Sequence, residues 1–229
     1  MENNHSSTIH PFDDPVILEL DAILSKSLFN ESGRGALLIA TSHVEDFLAS
    51  LIKAVMPIEV SAKDKDRLFA YPGPLCSFSS KIELAYAFRL IDKSLYDNLN
   101  ALRKIRNDAA HKPAEFALEE LSQKMIAVYS LGPGFYTLIN GTSTEFVVKQ
   151  RIERVEKYLK EQGYSEKETG EKIVSLFSEP EKIKAIEKEI PFWELRLGIC
   201  LMCFLLLHQK EKLTNITRCI RTWADLNKD

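Results

Sequence analysis

The residues best equipped for chemistry lie together in Arg103-Lys104-Ile105-Arg106-Asn107-Asp108-Ala109-Ala110-His111. A histidine that titrates near neutrality can give or take a proton, so His111 is a candidate acid–base group. Arg106 beside it could stabilise negative charge building in a transition state, and Asn107 could orient either partner. The spacing resists a simple version of this site. Five positions on a regular helix separate Arg106 and His111 by about 140°. They converge only if His111 lies just past the helix end, which Pro113 would permit, or if two protomers each supply half. A purely structural reading stands beside the catalytic one. Positive charge in the last turns of a helix is favoured by the macrodipole. Arg106 could pair with Glu45 from an opposing helix as a buried polar tie, and His111 could cap carbonyls.

Other chemistry-bearing residues are weaker. His43 near Asp46 has the spacing of a His–carboxylate pair, though such a histidine usually sits on a helix surface. Tyr86 and Tyr96 could stack on bases but fit core or interface aromatics better. Ser77, Ser79 and Ser80 have no nucleophile elbow around them and read as helix-capping residues. Gly33-Arg34-Gly35 is too short for a phosphate loop. Cys200-x-x-Cys203 lacks a second Cys or His pair at metal-site spacing and lies in an apolar run, so both thiols read as small core residues. No metal site and no cofactor follow from these residues.

The elements that must position them are helices. Apolar residues recur at helical spacing over 16–29 and again over 36–55, with Gly33-Arg34-Gly35 as the break between. A polar connector is expected from Ser61 to Asp66, then a turn at Tyr71–Pro74 and a helix near 78–90. Asp92 is a good N-cap for a helix over 93–111, which Lys112-Pro113 would end. A further helix over 115–130 should stop at Leu131-Gly-Pro-Gly134. Capping-box patterns at Thr142-x-x-Glu145, Ser165-x-x-Glu168 and Ser178-x-x-Glu181 suggest three more helix starts. Residues 149–190 carry ten basic and ten acidic side chains, a solvated stretch. The expected organisation is therefore a flexible N-terminus over 1–15, a bundle core over 16–141, a charged helical insertion over 142–190, and closing core helices over 191–229, the last near 213–226. All of it reads as one domain.

Composition agrees with this class. The chain has 229 residues, 45% hydrophobic and 28% charged, with only nine Gly and nine Pro. That is ordinary for a helical globular domain and poor for a turn-rich β protein. Net charge is −3, so no global field favours duplex DNA. No helix-turn-helix, zinc finger or basic arm is present, and direct operator reading is not expected. The start of the chain lacks an apolar signal core, which points to a cytoplasmic home and reduced cysteines. The run Leu195–Leu207 is 13 residues with an internal Arg, too short to span a bilayer, and no membrane association is expected.

Three segments carry a family resemblance: Arg34–Phe47, Gly73–Ile91, and Leu102-Arg-Lys-Ile-Arg-Asn107 with His111. With Tyr96 and Leu99 they resemble the mannitol operon repressor family over about 34–130, and Arg196–Leu207 resembles its closing helix. Residues 142–190 have no counterpart there. The Arg106-Asn107…His111 spacing also resembles the Arg-x4–6-His motif of the HEPN superfamily of helical bundles. The first resemblance implies an all-α regulator, a non-enzymatic protein that acts through an unidentified protein partner and not through DNA, and a homodimer. The second implies the alternative, a metal-independent endoribonuclease of the toxin or defence type, with RNA as partner. There His111 would deprotonate a ribose 2′-hydroxyl or protonate the leaving 5′-oxygen, with Arg106 and Asn107 assisting and Glu45 and Arg103 in support.

Overall fold

The computed structural model describes residues 10–111 and 122–219, with side chains at 122–123 and 217–219 outside the description. Every regular element among these residues is helical, so the chain is an all-α bundle. A 3-10 turn, Pro11–Asp13, precedes α1 (Pro15–Leu28) and α2 (Gly33–Val55). Then come α3 (Ala62–Phe69), α4 (Phe78–Ala87), α5 (Lys93–His111) and α6 (Ser122–Tyr129). The last four are α7 (Phe135–Glu161), α8 (Glu166–Phe177), α9 (Pro180–Glu187) and α10 (Ile190–Cys219).

Local chemistry explains most boundaries. Asp14 caps α1 through the Val16 and Ile17 amides, and Asp92 caps α5 by accepting from the Leu95 amide at 2.8 Å. Ser77 accepts from the Ser80 amide at 3.0 Å to start α4, as expected of that serine cluster. Ser165 and Glu168 close a reciprocal capping box on α8.

Several expected boundaries move. Gly33 and Gly35 do not break the chain. Both lie in the first turn of α2, which Ser32 caps by accepting from the Gly35 amide at 3.2 Å. The Ser61–Asp66 connector is instead the cap and front half of α3, because Ser61 accepts from the Asp64 amide. Thr142-x-x-Glu145 starts nothing: Thr142 lies inside the 27-residue α7, so the boundary expected at 141/142 falls within a continuous helix. Ser178 ends α8 instead of opening α9, which begins with Pro180 at its first position. The separate helix expected near 213–226 is part of α10 as far as Cys219; residues 220–229 lie outside the described residues, as do 1–9 and Lys112-Pro113. Of the segment expected to be flexible, residues 10–14 include the 3-10 turn, and Phe12 packs against the core.

The core forms around α2. Its buried stripe, including Leu37, Val44, Leu48, Leu51 and Ile52, follows the i, i+3/i+4 rule. α10 makes the most extensive packing with α2 and also packs on α7 and α1. α5 lies against α2, α4 and α6. Each fully buried Leu or Ile in this interface contributes roughly 1.5–3 kcal/mol relative to an exposed one. α8 and α9 contribute little to it: Thr169 is their one buried residue.

Candidate functional site

α5 puts Leu95, Leu99, Leu102, Ile105 and Ala109 into the core, which leaves the charged cluster on its outer faces. Arg106 and His111 are exposed, and Asn107 and Arg103 are half-buried. Arg106 Nη1 donates to Asn107 Oδ1 at 3.2 Å, and Arg103 Nε donates to Asn100 Oδ1 at 3.1 Å. Asp108 accepts from Lys124 Nζ at 3.2 Å across to α6. α5 remains helical through His111, at the edge of the described residues. Arg106 and Asn107 therefore form a pair, while His111 projects about 140° away around the same helix. Within one chain the two ends of the expected motif are not brought together.

Glu45 does not tie down Arg106. Its Oε1 accepts from Lys81 Nζ of α4, with side-chain exposures of 23% and 8%. α4 packs on α2, and Lys81 occupies a position of its buried face with Phe78, Ile82 and Ala85. A lysine amid that apolar spacing was the signal available in the sequence, since a buried ammonium requires a partner.

α10 carries two further polar sites that motif reading missed. Arg196 grips Asp21 of α1 through Nε–Oδ1 at 2.6 Å and Nη2–Oδ2 at 2.5 Å. Its guanidinium lies 4.7 Å from the Trp193 ring centroid, and Cys200 Sγ donates to Asp21 Oδ1 at 3.8 Å. Glu194, one residue before the apolar run, is only 4% exposed and accepts from Asn140 Nδ2 at 2.7 Å. Burial pushes its carboxyl pKa up, only partly opposed by the Asn140 hydrogen bond. The hydroxyl of Tyr129 is buried without a hydrogen-bond partner among the described residues. Burial first, then the Glu194 charge, pushes that phenol well above its ordinary range.

The remaining candidates resolve simply. Cys200 and Cys203 are buried on α10 as free thiols, and burial raises both pKa values, the opposite of a reactive thiolate. Cys76 is an exposed free thiol. Tyr86 and Tyr96 stack on each other with centroids 4.3 Å apart. His43 and Asp46 share no hydrogen bond or ion pair. Among the described residues no three His, Cys, Asp or Glu side chains gather as metal ligands.

Two stretches, Gly33–Val55 and Pro180–Ile216, have the length and hydropathy of a membrane-crossing helix. The 13-residue limit set on Leu195–Leu207 therefore does not hold, because α10 extends that run in both directions. Of their apolar windows, 44% and 61% are buried inside the bundle, where α2 and α10 pack on each other.

The chain matches no family model, no curated protein and no solved structure.

Proposed function

We propose that this protein is a non-enzymatic regulator of the mannitol operon repressor type, a cytoplasmic homodimer that works through contact with a partner protein. The observation that carries this reading is the state of the α5 cluster: Arg106 is bonded to Asn107, and His111 points elsewhere on the helix. A charged, solvent-facing helix end of this kind suits recognition better than acid–base catalysis. The surface of α1 adds support. Its buried stripe of Ile17, Leu20, Leu24 and Leu28 is flanked on one side by Val16 and Ile23 and on the other by Leu18, each at least 40% exposed. An apolar face wider than its own core covers is the pattern of a protein interface.

The test combines mass and activity. Light scattering should return twice the 26.1 kDa chain mass, and Leu18→Glu with Ile23→Glu should halve it. Purified protein in EDTA should leave single-stranded and transfer RNA intact, as should His111→Ala. A monomeric wild type overturns the dimer.

The metal-independent ribonuclease is the second reading, favoured by the exposure of Arg106 and His111 at one end of α5, with Asn107 half-buried between them in sequence. In that case two protomers would supply complementary halves, with Arg103 and the Glu45–Lys81 tie as framework. RNA cleavage by wild type that His111→Ala abolishes would establish it over the regulator.

A further inference from the structure

At the opposite end of α5 from His111, a cleft of about 710 Å³ opens between the end of α4, the start of α5 and the second half of α10. Its volume is that of a small-molecule site. Arg89, Lys93 and Lys212 line it, with His208 beside them, against a single carboxylate, Asp92. That carboxylate is already engaged by the Leu95 amide. Lys93 is paired with Asp97, but Arg89 and Lys212 have no hydrogen bond or ion pair among the described residues. Two cations thus converge on one cleft without an ion-pair partner of their own among the described residues.

Arg89 is also in an unusual conformation. α4 ends in a Schellman motif: the Leu90 amide donates to Ala85 O at 2.8 Å and the Arg89 amide to Tyr86 O at 2.9 Å. The motif requires a left-handed residue after the cap, a position glycine fills without strain. Here that residue is Arg89, with φ +57°. Glycine would adopt this backbone without strain, whereas arginine holds it at some cost and places a guanidinium at the cleft.

The same wall offers a ring surface. Tyr86, 37% exposed and backed by the stacked Tyr96 ring, lines the cleft, and its floor includes the buried Ile91 and Leu95. Cations suit a phosphate, and a supported aromatic suits a planar heterocycle. We propose that this cleft binds a free mononucleotide, with the phosphate on Arg89 and Lys212 and the base against Tyr86. The site does not depend on the reading of α1 and the His111 end of α5 given above.

The experiment is calorimetric titration of the full chain with AMP, ADP, adenosine and inorganic phosphate at low salt. AMP or ADP should bind at least tenfold more tightly than phosphate or adenosine. Arg89→Gly should weaken nucleotide binding at least tenfold while leaving Tm equal or higher, since glycine relieves the left-handed strain. Lys212→Ala should weaken it similarly, which keeps the test independent of the α4 terminus. Tyr86→Ala should bring AMP down toward the affinity of phosphate. Absence of nucleotide binding at millimolar concentration overturns the proposal. So does binding insensitive to Arg89→Gly and Lys212→Ala, or binding confined to an RNA oligonucleotide.

Discussion

Asp21 and Arg196, 175 residues apart, meet through two parallel hydrogen bonds of 2.6 and 2.5 Å that lock α1 onto α10. Their side chains are 19% and 13% exposed, so neither charge is well hydrated if the other is removed. Loss of one partner from such a pair costs about 3 kcal/mol, mostly the penalty of stranding the survivor. Arg196→Ala should therefore lower stability by about that amount and also lose packing on Trp193. Urea denaturation would measure it. A loss below about 0.5 kcal/mol would make the pair no more than a surface ion pair.

Glu45 and Lys81 make the corresponding tie between α2 and α4. Glu45→Ala strands a mostly buried ammonium and should cost about 3 kcal/mol. Arg106→Ala, at an exposed site, should stay within about 0.5 kcal/mol. The comparison separates the pair seen in the structure from the Glu45–Arg106 tie that the sequence suggests. Equal losses in the two variants would favour the latter.

Those two pairs also mark the limit of what sequence reading could reach. Asp92 and the Ser165–Glu168 box were legible because a cap is decided within four residues. The same pattern at Thr142-x-x-Glu145 misled, since nothing local distinguishes a helix start from the interior of α7. Gly33 and Gly35 misled for the converse reason: in a first turn capped by Ser32, glycine does not interrupt the helix. The all-helical class and the buried character of Cys200 and Cys203 followed from periodicity. The partner of Glu45 did not, because it depends on which faces of α2, α4 and α5 meet. Arg106, Asn107 and His111 all lie on α5, and because that helix continues through His111 the separation of about 140° that their spacing gives is kept. The Arg89 cleft was invisible for a further reason: its cations come from positions 89, 93 and 212, gathered only by folding.

Gly198 reports on packing between α10 and α6. A Cβ at that position would lie 2.2 Å from Tyr129 Cε1 and 2.4 Å from its Cδ1. Tyr129 is fully buried, so its ring has little room to retreat. Gly198→Ala should therefore destabilise the protein by about 1–3 kcal/mol, despite alanine's better helix propensity. Pairing it with Tyr129→Ala should remove the clash, so the double variant should lose less than the sum of the two single changes. Additive losses in thermal or urea melts would show that the clash is relieved some other way.

Glu194 makes stability depend on pH in a definite direction. Burial raises its folded-state pKa above the ordinary carboxylate value of 4.5. Between the unfolded and folded values, the native protein retains a proton that the unfolded chain has released. Stability from this group therefore falls as pH rises through that window, and the deficit persists above it. Glu194→Gln keeps an acceptor for Asn140 Nδ2 without the charge. The variant should match wild type below the unfolded carboxylate pKa and exceed it at neutral pH. Melts from pH 4 upward would trace the difference. A Glu194→Gln variant that is less stable than wild type at pH 7 would mean that the ionised carboxylate is favoured in the fold, with the Asn140 hydrogen bond outweighing its burial.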